Sequence, residues 1–308
     1  MKSITDCYSK VNKDCLKFIK SQETSKDKFK NKEKMIKSFL IPVSFWIGNK
    51  ARKKNPYIVG LGGGQGTGKT TISSIITIIL RKYFKLNVFK ISIDDFYKTR
   101  KQRLYLSKKI HPFLMTRGVP GTHDVNIMLN FFKKTKSKNF RSLKLPRFNK
   151  ATDERCNKNF WYSVRKKPDV VIFEGWCVGA RAEKNNTLKT PVNSLEKKDD
   201  IKLIWRKFVN QQLKLKYKKL YGQLDCLLFL KANNFSLLQR WRLKQENKLR
   251  LTKKGSRNNK IMSKKDVINF MQTYQRVTQN MMKYAPKYSS IILKLNGNHQ
   301  IKSVKYKK

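Results

Sequence analysis

The residues with the clearest chemistry stand at positions 63–70, where the order Gly-Gly-Gln-Gly-Thr-Gly-Lys-Thr matches G-x-x-x-x-G-K-[ST]. Glycines in such a loop let backbone N–H groups curl around phosphate oxygens without a clash from a Cβ atom. Lys69 can reach the phosphate that is transferred, and the Thr70 hydroxyl can ligate Mg²⁺. The pattern predicts a site for a nucleoside triphosphate, formed by Gly63, Gly64, Gln65, Gly66, Thr67, Gly68, Lys69, Thr70 and Thr71.

The segments on either side of this loop are those that a phosphate site needs. Residues 57–61 are a short apolar run with β-branched side chains, typical of a buried strand. Residues 71–80 are rich in isoleucine and end at two basic residues, as expected for a helix. The N-terminus of that helix would add partial positive charge next to the phosphates. Strand, loop and helix in this order argue against a chance glycine-rich turn.

Two adjacent carboxylates, Asp94 and Asp95, end a second segment that we predict as a strand over residues 87–94. Ligands of open α/β sheets bind at the carboxyl ends of the strands, so these side chains should lie near a substrate. A kinase that acts on a hydroxyl group needs a carboxylate there to accept or orient the hydroxyl proton. We expect Asp94 to be the base, with a metal-binding role left open, and Asp95 and Tyr97 to lie beside the substrate. The alternative is a pair that only caps the next helix.

A third acidic residue, Glu174, follows the apolar run 169–173, which is predicted to be a buried parallel strand. A carboxylate in this place after a phosphate loop is typical of a Walker B position, where it holds Mg²⁺ through water. The sequence therefore predicts Thr70, Asp94 and Glu174 around the metal ion.

Two loops carry further polar side chains suited to an acceptor. Gly and Pro residues fix an irregular loop over 117–124, in which Arg117 and His123 could bind an anion and Asp124 could orient His123. For His123 a capping or packing role is the alternative. The second loop, at 145–155, adds Lys150, Asp153 and Arg155 to the predicted substrate site.

A highly charged segment at 234–260 is predicted to be a helical lid. Arg240 and Arg242 could project over the phosphates and stabilise charge in the transition state. The alternative is a basic helix that faces only solvent. Residues 253–260 are predicted to be a polar loop between this helix and a second one over 263–284.

Strands alternate with helices along the chain, which predicts an α/β fold with a doubly wound parallel sheet flanked by helices. Further strands are expected at 224–230 and 289–295, a helix at 201–221, and a polar loop at 181–200. We predict a basic helical segment over 1–45 and a phosphate-loop domain over 46–308. Residues 20–34 could instead be a disordered arm.

The chain has 308 residues and a formal net charge of +53, from 72 Lys and Arg against 19 Asp and Glu. Because lysines are spread from end to end, we interpret the excess as a solvated surface rather than a specific nucleic-acid site. The five cysteines form no C-x-x-C pair, which favours reduced thiols. No apolar stretch is long enough for a bilayer and no signal peptide is visible, so a cytoplasmic location is expected.

Five motifs in one order resemble those of the D-glycerate 3-kinase family, P-loop kinases similar to phosphoribulokinase and uridine kinase. They are the loop at 63–70, S-I-D-D-F-Y at 92–97, R-G-V-P-G-T-H-D at 117–124, F-E-G-W-C-V-G at 173–179 and W-R-L-K-Q-E at 241–246. The resemblance implies an ATP- and Mg²⁺-dependent kinase that makes 3-phosphoglycerate from D-glycerate. It also implies a catalytic role for Asp94 and a lid position for Arg240 and Arg242. The loop near Asn149, where the family usually has aspartate, looks more like a bacterial subgroup.

Two other functions remain open at this point. A kinase for a nucleoside or another sugar-like alcohol fits the same motifs, because Tyr97, Phe148 and Trp176 could stack on a base. A nucleic-acid-stimulated NTPase would use the basic surface and would depend steeply on salt. The sequence shows no basic stripe interleaved with aromatic residues, which disfavours that function. The oligomeric state cannot be inferred from the sequence.

Overall fold

The structure is a computed structural model that describes residues 3–25, 27–252 and 262–307. The described residues contain ten strands, with these bounds: β1 Tyr57–Gly63, β2 Val88–Ser92, β3 Leu143–Leu145, β4 Phe148–Asn149, β5 Glu154–Arg155, β6 Tyr162–Val164, β7 Val170–Gly175, β8 Cys226–Lys231, β9 Ile291–Leu295 and β10 Ile301–Tyr306. They form one six-stranded sheet and two two-stranded sheets, β3-β6 and β4-β5. Short 3₁₀ turns occur at Ile93–Phe96, Pro112–Met115, Lys158–Phe160 and Asn185–Lys189.

Helices surround the sheet, with these bounds: α1 Ile4–Ser21, α2 Lys32–Lys34, α3 Ile41–Lys53, α4 Lys69–Lys82, α5 Arg100–Lys109, α6 Val125–Lys136, α7 Ser194–Asp199, α8 Ile204–Gln212, α9 Lys218–Tyr221, α10 Phe235–Thr252 and α11 Lys264–Tyr288. Wider π-helical stretches, Met35–Leu40 and Leu213–Tyr217, join α2 to α3 and α8 to α9. None of these helices is long and apolar enough to cross a membrane.

The central sheet has the strand order β10-β9-β8-β1-β7-β2, and only its last strand, β10, is antiparallel. Its middle strands β1 and β7 are buried along their whole length, as continuous apolar runs in a parallel sheet should be. Parallel pairing sets Leu61 beside Glu174 and Ser92 beside Glu174. The carboxyl ends of β1, β2 and β7 therefore meet at one edge, which confirms the predicted α/β fold with its mostly parallel sheet.

Alternate side chains of the strands fill two apolar cores, one on each face of the sheet. Val59 and Leu61 face the core that contains α1, α3 and α4, whereas Ile58 faces the core with α6, α8 and α11. Helix α1 contributes Cys7, Val11, Cys15 and Ile19 to the first core, and each is fully buried. The segment before residue 46 is thus packed into the same core as the phosphate-loop helix.

The polar stretch at 181–200 differs from the predicted loop, because it contains the helix α7. Glu196 in this helix is fully buried and binds two guanidinium groups, 3.1 Å from Arg206 Nη1 and 2.6 Å from Arg276 Nη2. Asp200 lies 3.0 Å from Arg206 Nε, and Glu183 lies 3.4 Å from Arg276 Nη1. An internal ion-pair network thus holds a segment whose sequence shows no apolar periodicity.

We expect the substitution Glu196→Ala to lower the free energy of unfolding by about 3 kcal/mol, because it leaves two buried arginines short of a carboxylate. Urea denaturation of the full chain measures this loss. The exposed neighbour Lys197 provides the matched control, Lys197→Ala, which should change stability little. Equal stability of the two variants would contradict the role of this network.

Candidate active site

The phosphate loop connects β1 to α4 and has the conformation that its glycines allow. Gly66 and Gly68 have φ values of 75° and 83°, a region that favours glycine. The Thr67 hydroxyl donates a 2.8 Å hydrogen bond to the Gly64 carbonyl, which closes the loop. No side chain caps the N-terminus of α4, so its first N–H groups are left for an anion. Thr71 follows in the first turn of the helix.

Lys69 lies across this loop. Its ammonium group donates to the Gly64 carbonyl at 2.9 Å. Burial lowers the pKa of Lys69, while the nearby carboxylates of Glu174 and Asp94 oppose that effect. The ammonium group thus contacts the loop and is affected by the charges of the strand-end glutamate and the predicted base, as expected for a phosphoryl-transfer site.

Glu174 is the penultimate residue of β7 and contacts the first turn of α4, and only 6% of its surface is exposed. The Thr70 hydroxyl donates to Glu174 Oε1 at 3.0 Å. Burial raises the pKa of Glu174, and the neighbouring Lys69 acts against this rise. Two of the three side chains predicted around the metal ion are thus in direct contact.

Asp94 lies in the 3₁₀ turn after β2, where three side chains meet. Tyr97 donates its phenolic hydrogen to Oδ1 at 2.9 Å, and Lys150 Nζ is 2.6 Å from Oδ2. Burial acts to raise the pKa of Asp94, but the Lys150 ammonium and the Tyr97 hydroxyl hold it below its usual range. The carboxylate is therefore ionised and able to accept a proton.

Asp95 accepts a 3.4 Å hydrogen bond from the backbone N–H of Phe148. Burial raises the pKa of Asp95 to about 6, with a contribution from the charge of Asp94. The adjacent Asn149 side chain accepts from the N–H groups of Ala151 and Thr152, at 2.9 and 3.4 Å. An aspartate could make the same turn contacts, so the departure from the family pattern preserves the loop.

The loop at 117–124 is joined to the segment after Asp94. The backbone N–H of Asp124 donates to Phe96 O at 2.7 Å, and that of Lys98 donates to Thr122 O at 2.8 Å. This pairing stacks the His123 ring on the Tyr97 ring, with centroids 4.5 Å apart and an angle of 21°. His123 is therefore fixed next to the tyrosine that binds the predicted base.

The partner of His123 is not the one that the sequence suggested. Asp124 caps α6 through the N–H of Ile127 and lies 3.5 Å from Arg155. His123 Nδ1 instead lies 2.6 Å from the hydroxyl of Tyr217. The expectation that Asp124 orients His123 is wrong, because the N-cap geometry directs the carboxylate to the backbone of its own helix.

The remaining predicted substrate residues join the loop at 117–124 to the loop at 145–155. Arg117 pairs with Asp153, and its Nη2 donates to Lys150 O at 3.3 Å. Arg155 donates to the Tyr97 carbonyl at 2.8 Å and pairs with Asp124. Only 11% of the Arg155 side chain is exposed, so its guanidinium group is engaged in these internal contacts.

Arg103 was not predicted from the sequence, yet its side chain is completely buried beneath this loop. It donates to Met115 O at 2.7 Å and to both Asp153 O and Asp153 Oδ2, at 2.7 and 2.9 Å. Asp153 has a φ of 55°, and two guanidinium groups hold its carboxylate. Since Arg103 lies in a run of basic residues, its spacing gives no signal of this role.

The predicted lid begins next to the phosphate loop. A Cβ atom on Gly66 would lie 3.1 Å from Trp241 Cβ and 3.2 Å from Arg242 N. Arg242 pairs with Glu246 at 2.8 Å, whereas Arg240 is exposed. Gln65 lies against the hydroxyl of Tyr274 in α11. Part of the lid range, residues 253–260, lies outside the described residues.

A second residue that the sequence did not reveal, His299, lies on the other side of the loop. It belongs to the turn between β9 and β10, and its ring stacks on Trp241 with centroids 4.4 Å apart. Its Nε2 atom is 3.6 Å from the place of a Cβ on Gly68. The lid helix and the last hairpin thus both border the phosphate loop.

Several known kinases are similar to the chain, although no family model matches it. The chain is 32% identical over 228 residues to the uncharacterized kinase mug58 of Schizosaccharomyces pombe, covering 71% of this chain and 78% of that protein. It is 26% identical over 254 residues to the chloroplastic D-glycerate 3-kinase of Arabidopsis thaliana, covering 77% of this chain and 52% of that protein.

A solved structure shares the fold. The D-glycerate 3-kinase of Cryptococcus neoformans superposes with a TM-score of 0.72 at 23% identity, over 87% of this chain and 97% of that one. The likeness to a bacterial subgroup stays a prediction. The first relative exceeds 30% identity over 71% of the chain, and it is named a kinase. The chain therefore belongs to the family of P-loop kinases that includes D-glycerate 3-kinase, and it is a small-molecule kinase.

Proposed function

We propose that the chain transfers the terminal phosphoryl group of ATP to the 3-hydroxyl group of D-glycerate. The observation that carries the proposal is the position of the Asp94 carboxylate, which lies 2.6 Å from Lys150 Nζ of the second loop and whose charge acts on Lys69. The relatives named D-glycerate 3-kinase support this choice of acceptor.

Asp94 would act on the hydroxyl group that is phosphorylated. The hydroxyl oxygen attacks the γ-phosphorus, the bond from that phosphorus to the bridging oxygen of ADP breaks, and Asp94 takes the hydroxyl proton. Lys69 and the N–H groups of the phosphate loop stabilise the charge on the transferred group. Arg240 and Arg242 are proposed to add positive charge from the lid.

The acceptor carboxylate would be bound by Arg117 and Lys150. Both side chains are partly exposed, at 29% and 62%, so a ligand can reach them. In the structure, Lys150 is hydrogen-bonded to Asp94 and lowers the pKa of that carboxylate. If Lys150 binds the acceptor carboxylate instead, this interaction with Asp94 is lost. Binding of an anionic acceptor would thereby make Asp94 a stronger base.

Thr70 and Glu174 would hold Mg²⁺. Their oxygen atoms lie 3.0 Å apart at the phosphate loop, and hard oxygen donors suit this ion. Within the described residues, no three His, Cys, Asp or Glu side chains form a metal cluster. Mg²⁺ commonly keeps waters and binds substrate phosphates, so one hydroxyl and one carboxylate fit it. When bound, the ion neutralises charge on the β- and γ-phosphate oxygens.

The acceptor can be tested with a panel of D-glycerate, L-glycerate, uridine, pantothenate and ribulose 5-phosphate. ATP consumption should occur with D-glycerate, should require Mg²⁺, and should be unaffected by added RNA. Turnover on another alcohol would contradict D-glycerate as the acceptor and would indicate that the loops at 117–124 and 147–155 bind a different substrate. ATP hydrolysis that only RNA stimulates would contradict the proposed kinase reaction as well.

A further inference from the structure

His123 has a nitrogen atom that no described residue binds. The side chain is 2% exposed, and its Nε2 atom is buried without a hydrogen-bond partner in the described residues. A buried donor or acceptor without a partner costs about 1–3 kcal/mol, so such an atom in a binding site indicates a ligand contact. The ring stacks on Tyr97, whose hydroxyl binds the predicted base Asp94.

The surroundings of Tyr217 determine which nitrogen of His123 carries the hydrogen. The Tyr217 hydroxyl is completely buried and accepts a 3.1 Å hydrogen bond from the N–H of Gly121. The Tyr217 hydroxyl still has its own hydrogen to donate, and His123 Nδ1, 2.6 Å away, is the acceptor that the described residues offer it. Nδ1 is thus the acceptor, and Nε2 of a neutral ring is left as an N–H donor.

Two further features make this arrangement rigid and neutral. Gly121 has a φ of 108°, and a Cβ there would lie 2.5 Å from the Phe208 ring, so only glycine brings this N–H to Tyr217. Burial lowers the pKa of His123 to about 4, although the charge of Asp94 opposes the change, so the ring is uncharged at pH 7.

We propose that Tyr217 is a positioning residue that holds His123 with Nε2–H directed at the acceptor, where it donates to the 2-hydroxyl oxygen of the hydroxy acid. The choice of the hydroxyl follows from charge: Arg117 and Lys150 are cations suited to the carboxylate, whereas a neutral N–H suits a neutral oxygen. This inference rests on the proposed function for the identity of the acceptor. It makes Tyr217 and His123 determinants of specificity.

The arrangement itself can be tested without a substrate. The chain has only three histidines, so ¹⁵N NMR spectra of the wild type and single-histidine variants can assign His123. At pH 7 we expect the neutral tautomer with hydrogen on Nε2, and Tyr217→Phe should abolish this single tautomer. Tyr221→Phe is the matched control, since this partly buried hydroxyl faces Cys177 Sγ at 3.5 Å instead. Hydrogen on Nδ1 in the wild type would overturn the proposal.

The donor role can be tested by removing the 2-hydroxyl from the substrate. His123→Leu should lower kcat/KM for D-glycerate by about 10- to 100-fold, because a buried polar contact is lost. It should change kcat/KM for 3-hydroxypropanoate, which lacks this hydroxyl, far less. His123→Gln should recover part of the loss, because its amide N–H reaches the place of Nε2, whereas His123→Asn should not. Tyr217→Phe should weaken the discrimination between the two acids, and Tyr221→Phe should not.

The two proposals fail in different ways. Equal losses on both acids in His123→Leu would overturn the role of Nε2 while leaving D-glycerate as acceptor. Absence of turnover on any hydroxy acid by the wild type would overturn the acceptor, and with it the donation to a 2-hydroxyl. In that case the NMR spectra still decide separately whether Tyr217 fixes the tautomer.

Discussion

Asp94→Asn is expected to lower kcat by about 10²- to 10⁴-fold, the range over which a positioned general base contributes to catalysis. Asparagine keeps the shape of the side chain and can still accept from Tyr97, but it cannot take the hydroxyl proton. The affinity for ATP should change little, because Asp94 lies beyond the phosphate loop. Steady-state kinetics in ATP and D-glycerate, together with ATP titration, separate the two effects.

The control for this substitution is Asp199→Asn, since Asp199 is exposed at the end of α7. This variant should keep wild-type kcat. A kcat for Asp94→Asn close to that of the wild type would contradict the role of Asp94 as base. A large loss of ATP affinity with unchanged kcat would indicate instead that Asp94 acts mainly in binding the metal and nucleotide.

Lys69→Ala is expected to remove most turnover, by about 10²- to 10³-fold or more, as for the loss of one donor that stabilises transition-state charge. The ammonium group lies against the Gly64 carbonyl at the loop, where the phosphates are expected. Initial rates at saturating ATP measure the loss.

Lys82→Ala is the matched control at the other end of the same helix. Lys82 makes an exposed ion pair with Asp14 at 3.1 Å, and such pairs contribute little to stability. Its turnover should equal that of the wild type. If Lys69→Ala were as active as Lys82→Ala, the assignment of residues 63–70 as the phosphate loop would be wrong.

The sequence predicted those parts of the protein that local pattern determines. Apolar runs give the buried strands β1 and β7, and the glycines of the phosphate loop give a backbone that no other residue adopts as readily. The positions of Asp94 and Glu174 follow from these, because the carboxyl ends of neighbouring parallel strands share one edge of a sheet. Glu174 contacts Thr70 directly, and the charges of Glu174 and Asp94 both act on the pKa of Lys69.

The parts that the sequence did not predict depend on contacts between distant segments. Tyr217 and Arg103 lie in helical segments and reach the acceptor loops across the fold, so no spacing within their own helices marks them. Helix α7 has Glu196 buried by Arg206 and Arg276, and such a helix cannot be recognised from apolar periodicity. The sequence suggests that Asp124 orients its neighbour His123. Asp124 instead caps helix α6, and this N-cap geometry determines its contacts.

The proposed reaction has its most direct test in the product formed from ATP, Mg²⁺ and D-glycerate by the full chain. Phosphorus NMR of the reaction mixture distinguishes 3-phosphoglycerate, 2-phosphoglycerate and free phosphate in one spectrum. Stoichiometric ADP and 3-phosphoglycerate is the result that we predict, and it should disappear in Asp94→Asn. ADP with free phosphate alone, or no consumption of ATP, would contradict the account.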